Sequence, residues 1–283
     1  MNYIEIKITF TPIDPWKEIF TSLLAEAGCD SFMDGEKESE LLCYMAENLY
    51  HEETVYDILN HHSYDVQIQY SISKVETQNW NAIWESNYAP VLIADRCHIR
   101  APFHEPKPFV DFEIVIEPKM SFGTAHHETT SLMIEYLLEE DLVGKKVLDM
   151  GAGTGILAIL AYKKGAHPIT AIDNDEWAYL NNIENNSRNQ AEEITVKLGD
   201  AMMIKNESYD IIIANINRNI LLNDIPAYAA CLPEKGILLL SGFYQEDDLE
   251  AIKQRCAEFN LQYHTHKEKN CWVAARFIMG QQK

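Results

Sequence analysis

No cysteine in this chain has a partner at CxxC spacing, although six are present: Cys29, Cys43, Cys97, Cys231, Cys256 and Cys271. Such scatter argues against a disulfide framework and against a zinc site, and it fits a reducing cytoplasm. Long hydrophobic runs are also missing. The longest apolar stretch, around Gly155–Tyr162, is far too short to span a bilayer, so no membrane role is expected. The opening MNYIEIKITF has no basic region leading into an apolar run, and no signal peptide is expected. Positive charge is scarce. Lys plus Arg number 23 against 44 Asp plus Glu, a formal net charge of −21. A surface of that sign repels phosphate backbones, which speaks against an extended nucleic-acid footprint, and it attracts cationic partners. Excess acid also serves solubility, so charge alone selects no function.

What is present is an ordinary globular balance, with 47% hydrophobic and 24% charged residues over a length sufficient for two compact domains. The first 75 residues alternate strand and helix. Tyr3–Phe10 alternates as a strand; Asp14 is a candidate helix cap with Pro15 at the first helical position. Trp16, Ile19, Phe20, Leu23 and Leu24 follow at helical spacing up to Gly28. Leu41–Met45, Thr54–Leu59 and Val66–Ile72 read as strand, helix and strand. Two helices against three or four strands give a small α+β sandwich of ferredoxin-like type, with no catalytic motif of its own. Residues 76–88 read as a polar linking helix carrying Trp80 and Trp84. Pro90, Pro102, Pro106 and Pro108 then mark extended, turn-rich chain.

From Gly144 onward strands and helices alternate strictly. Strands are expected at Lys146–Met150, Ile169–Asp173, Thr195–Leu198, Tyr209–Asn215 and Gly236–Phe243. Helices are expected at Gly155–Lys164, Glu176–Asn189, Ile220–Cys231 and Asp247–Phe259. Apolar strands such as Ile211–Asn215 separated by amphipathic helices require a parallel sheet covered on both faces, a doubly wound α/β fold. The closing segments Gln262–His266 and Cys271–Met279 suggest an antiparallel hairpin on one edge.

Five elements of this second domain carry chemistry. Val147-Leu-Asp-Met-Gly-Ala-Gly-Thr-Gly155 takes a buried strand into a glycine turn and then a helix. Gly151 and Gly153 permit backbone to approach a nucleotide-like ligand. Ile156 stands where a dinucleotide fingerprint needs glycine, which disfavours a pyrophosphate cradle and with it an NAD-dependent oxidoreductase. Asp173 ends the next strand, where a carboxylate accepts both hydroxyls of a ribose. Its competing role, capping the following helix, is equally open to Asn174 and Asp175. Asp200 closes the third strand, where an acid can meet an adenine amino group or simply make a turn. Asn215 reaches the C-terminal edge of the fourth strand. Its carbonyl can accept from an amine and aim the nitrogen lone pair at a methyl sulfonium, an in-line displacement that orientation accelerates without a metal. Finally, Met120–Thr130 (MSFGTAHHETT) is a small-residue loop before a helix expected near Ser131. Its adjacent His126 and His127 lack metal-ligand spacing.

These elements, in this order and spacing, resemble the class I methyltransferases and, more narrowly, the PrmA family, which methylates the eleventh protein of the bacterial large ribosomal subunit. The resemblance rests on Phe122-Gly-Thr with Thr129-Thr130, LDMGAGTGILAI, AIDNDEWA and DIIIANINRNIL, and is strong over residues 112–283. It implies S-adenosyl-L-methionine as cofactor, held through Thr130, Gly151, Asp173 and Asn215, with Asn215 also orienting the substrate amine. It further implies three segments. Residues 1–75 would be a ferredoxin-like domain that grips the ribosomal protein, 76–88 a linker, and 89–283 the catalytic domain, which methylates lysine side chains and the N-terminal amine. A cytoplasmic monomer acting on a basic protein is expected. A relative acting on another protein, RNA or a small molecule remains the alternative, as does a non-catalytic cofactor-sensing module. The chain departs from the family loop at Ala125, His126 and Glu128, and after Asn215 it carries Asn217-Arg-Asn. Those changes touch the number and position of methyl groups more than cofactor binding.

Overall fold

The computed structural model describes residues 3–35, 37–75, 88–119 and 121–281. The linking helix expected at 76–88, with Trp80 and Trp84, lies outside the described residues except for Tyr88. The residues on either side of that gap fall into two separate compact units.

The first unit is a four-stranded antiparallel sheet with two helices. Strands β1 (Tyr3–Thr11), β2 (Ser31–Asp34), β3 (Glu40–Ala46) and β4 (Gln67–Val75) pair in the order β2-β3-β1-β4. Helices α1 (Trp16–Glu26) and α2 (Glu52–Asn60) complete the ferredoxin-like βαββαβ sequence. Ile4, Ile6, Ile8 and Phe10 bury every second residue of β1 against Phe20, Leu24, Val55 and Leu59 of the helices. One expectation needs correction. Asp14 does not cap α1, because Pro15 occupies the cap position and Asp14 lies one residue too early for its carboxylate to reach the first free N–H groups. Strand β2 falls within the expected three or four strands; its SFMD sequence buries almost nothing and so carries no alternation that would have located it. Cys29 and Cys43 are free thiols whose Sγ atoms meet at 3.3 Å in this core.

The second unit is built on a seven-stranded sheet. Its strands are β8 (Val147–Met150), β9 (Ile169–Asp173), β10 (Thr195–Leu198), β11 (Ile211–Asn215), β12 (Ile237–Tyr244), β13 (Leu261–Lys269) and β14 (Trp272–Met279), in the order β10-β9-β8-β11-β12-β14-β13. The first five are parallel, and β14 lies antiparallel to both neighbours, forming the edge hairpin with β13. Helices α3 (Glu128–Glu139), α4 (Ile156–Lys163), α5 (Glu176–Arg188), α6 (Arg218–Ala230) and α7 (Asp247–Glu258) bury two apolar cores, one on each face of the sheet. The chain runs outward from β8 through β9 to β10, then returns to place β11 on the other side of β8. That reversal opens a crevice at the C-terminal ends of β8 and β11, the place where ligands bind in open α/β sheets.

One part of this unit differs from expectation. The turn-rich stretch after Pro90 contains a three-stranded sheet of β5 (Val91–Ile93), β6 (Cys97–Arg100) and β7 (Phe112–Val115). Strands of three or four residues are too short to display an alternation, but Ile93, Cys97, Ile99 and Ile114 nonetheless enter the core beside α3 and α4. Among the described residues, no helix is long and apolar enough to cross a membrane.

Candidate active site

A cavity of about 500 Å³ sits over the crevice. Gly151, Gly153, Asp173 and Asn215 line it, together with Phe122, His127, Trp177, Ile216, Asn217, Gly242 and Trp272 among others. Four strand-to-helix connections, strand β12 and one hairpin therefore converge on one volume.

The glycine turn is shaped by its protein neighbours as much as by any ligand. Gly151 and Gly153 have φ of +68° and +54°, which side-chain-bearing residues rarely adopt. A Cβ on Gly151 would collide with the Ile216 side chain, and one on Gly153 with the Phe122 carbonyl. The 121–127 loop is bound to the same turn. Thr154 N–H donates to Phe122 O at 3.0 Å, and Thr154 Oγ1 donates to Gly123 O at 2.6 Å.

Asp173 is half-buried at the tip of β9. Its Oδ2 accepts from Gly153 N–H (2.8 Å) and its Oδ1 from Asp175 N–H (3.0 Å), which leaves lone pairs on both oxygens for hydroxyls in the cavity. The helix cap is supplied by Asp175, which accepts from Ala178 N–H at 3.0 Å. The capping role is thus taken by the neighbour, and Asp173 is left facing the cavity.

Asn215 ends β11. Its Nδ2 donates to Thr130 Oγ1 at 3.3 Å, and its buried Oδ1 has no partner within the protein. A buried amide oxygen without a donor costs free energy, and Asn215 is a lining residue of the cavity, so this oxygen is a candidate acceptor for an N–H. Thr130 is fully buried and does not line the cavity; it fixes the amide from behind. Helix α3 begins at Glu128, three residues before the expected start, because the His127 imidazole caps it by accepting from Thr129 N–H at 3.3 Å. That role answers for one of the paired histidines. His126 instead bonds Thr124 Oγ1 and the Ala89 carbonyl.

Asp200 is not brought to the cavity. It is exposed, and its Oδ1 accepts from Met202 N–H at 2.8 Å, capping a short 3-10 turn. The turn reading of that residue is the one its contacts support.

Three further residues stand out only in three dimensions. Asp149 is buried in β8 behind the glycine turn, with Oδ2 accepting from Ala158 N–H at 3.0 Å and Oδ1 unpartnered. Burial pushes its carboxyl up to about 7, against the pull of the Ala158 N–H and with the Asp173 charge adding to the rise. Its signal was a lone acid inside the apolar strand Val-Leu-Asp-Met. Trp272 opens β14 and meets His127 at 4.7 Å and Tyr244 at 4.0 Å between ring centroids, while Phe122 meets His127 at 5.2 Å. Of these rings, Phe122, His127 and Trp272 line the cavity. Trp177, in the first turn of α5, lines the Asp173 side.

A family model described as ribosomal protein L11 methyltransferase (PrmA) matches residues 14–279. The ribosomal protein L11 methyltransferase of Phocaeicola vulgatus is 44% identical over 283 residues, covering 99% of this chain and 100% of that one. That of Chlorobaculum parvum is 36% identical over 286 residues, covering 97% and 96%. Among solved structures, a ribosomal protein L11 methylase from Lactobacillus delbrueckii subsp. bulgaricus aligns with a TM-score of 0.64 at 26% identity, over 69% of this chain and all of that one.

Proposed function

The chain belongs to the ribosomal protein L11 methyltransferase (PrmA) family, and from that premise we propose that it transfers methyl groups from S-adenosyl-L-methionine to amino groups of ribosomal protein L11. The observation that carries the reading is the pairing, in one cavity, of a half-buried carboxylate with free lone pairs and a buried amide oxygen without a partner.

The residues fit such a cofactor. Asp173 offers acceptors for ribose hydroxyls, the turn at 151–153 leaves backbone uncovered, and Asn215 stands two strands away in the sheet, about 10 Å at ordinary strand spacing. The cofactor supplies an electrophilic methyl on a sulfonium. Asn215 Oδ1 accepts an N–H of the incoming amine and turns its lone pair toward that methyl, and Thr130 holds the amide in this orientation. Phe122, His127 and Trp272 bracket the alkyl chain that carries the amine and keep water away. A lysine ammonium, with pKa near 10.4, must first lose its proton, and its loss to water precedes attack. Orientation is the main contribution asked of the protein.

The same reading assigns substrate binding to the first unit and takes the enzyme to be a cytoplasmic monomer with no extended nucleic-acid contact. The net charge of −21 supports a basic protein as partner. Incubation with radiolabelled cofactor and separated ribosomal proteins is the test. Label on L11 is expected; label confined to RNA or to another protein would overturn the substrate assignment.

A further inference from the structure

Trp177 is 77% exposed, the most exposed tryptophan among the described residues, yet it lines the cavity with Asp173, Asn174, Asp175 and Ala178. It has no ring contact and no side-chain hydrogen bond among the described residues, unlike Trp272, which packs on two rings. A large aromatic surface left in water forfeits the burial that usually justifies an indole.

Sheet order fixes which part of a ligand it can meet. Asp173 ends β9, whereas Asn215 ends β11 and Trp272 opens β14, with β8 and β12 interposed. At ordinary strand spacing β14 lies about 19 Å from β9, so the two tryptophans serve opposite ends of the site. A cofactor whose ribose is held by Asp173 and whose sulfonium points toward Asn215 extends its base the other way, on the β9 side where α5 begins. A purine presents a flat π face, and an indole with an uncovered face is the side chain that stacks on it.

We propose that Trp177 stacks on the purine of the cofactor and closes the outer side of the nucleoside pocket. The proposal rests on the cofactor reading given above and adds to it a specific residue, beyond the glycine turn and the acid. It also gives Trp177 a role distinct from Leu180 and Ile183, which are 47% and 43% exposed on the same helix but do not line the cavity.

Calorimetric titration of wild type, Trp177→Phe and Trp177→Ala with S-adenosylhomocysteine and with 5′-methylthioadenosine tests it. Loss of one base–aromatic stack should weaken both ligands about tenfold in Trp177→Ala, with Trp177→Phe retaining most of the affinity. Saturating either ligand should also change the tryptophan fluorescence of wild type more than that of Trp177→Phe, which keeps the other four tryptophans. Affinities of Trp177→Ala within twofold of wild type would overturn the stacking while leaving the cofactor reading intact. If wild type takes up neither ligand, the cofactor reading falls and the stacking with it. Because the indole is exposed, the substitutions should leave thermal unfolding in place, and that control separates lost binding from lost fold.

Discussion

Asn215 Nδ2 donates to Thr130 Oγ1 across 85 residues of sequence, and that bond leaves Asn215 Oδ1 buried and without a partner in the protein. Thr130 belongs to α3, which the His127 imidazole starts, so the 121–127 loop sets the direction of the amide. Asn215→Ala should therefore lower kcat about a hundredfold with a much smaller change in cofactor affinity. Thr130→Val keeps the shape but strands a buried N–H, a cost of about 1–3 kcal/mol, and should lower kcat about tenfold. The double variant should be no slower than Asn215→Ala alone, since both changes remove one shared function. Steady-state kinetics on L11 decides. Strictly multiplicative losses would mean that Thr130 acts independently of the amide.

Asp173 carries two loads, the backbone of its own turn and the hydroxyls proposed for the ligand. Asp173→Ala removes charge-assisted hydrogen bonds, each about 1.5–3 kcal/mol, so the Kd for S-adenosylhomocysteine should rise about a hundredfold or more. Asp173→Asn, which keeps one acceptor oxygen, should fall between the two. Calorimetry reads the order directly, and an alanine variant binding within threefold of wild type would remove the acid from the site.

Much of this was legible in residue order. Strands β8, β9 and β10 stop at or just before a glycine or an acid, and β11 stops at Asn215, so these ends are fixed by chemistry as well as by hydropathy; Ile169–Asp173 and Thr195–Leu198 keep their expected bounds. The sheet at Val91–Arg100 and Phe112–Val115 was hidden because its strands are shorter than one alternation can reveal and lie among prolines. Histidine is an uncommon cap, which concealed the start of α3. The two indoles at 177 and 272 could be seen in the sequence but not placed, because only strand order tells which end of the cavity each one meets.

Lys164 closes the far end of α3. Its Nζ donates to the carbonyls of Leu137, Leu138 and Glu140 at 2.6, 2.8 and 2.8 Å, groups that the helix end itself leaves unpaired. Lys164→Met retains the stem and removes the charge and three donors, and should destabilise the second unit by about 1.5–3 kcal/mol. Urea unfolding followed by far-ultraviolet circular dichroism measures it. A midpoint unchanged from wild type would show that water replaces the ammonium at no cost.

Asp149 makes stability depend on pH with a definite sign. Its carboxyl is raised by burial from an ordinary 3.8 to about 7 in the folded chain. An acid raised by folding contributes stability that is fully present below its unfolded value and lost as pH climbs through the folded one. Between pH 4 and 7 the unfolded chain ionises this group while the folded chain still holds the proton, a loss on the order of 4 kcal/mol across the window. Asp149→Asn cannot ionise, yet its amide oxygen can still accept from Ala158 N–H. The stability of the variant relative to wild type should therefore rise from pH 4 to 7 and level off above. Denaturant titrations of both proteins at half-unit steps isolate this group, since other titrations cancel in the difference. A flat difference would mean that Asp149 is already ionised at pH 4 and that its charge is compensated within the fold.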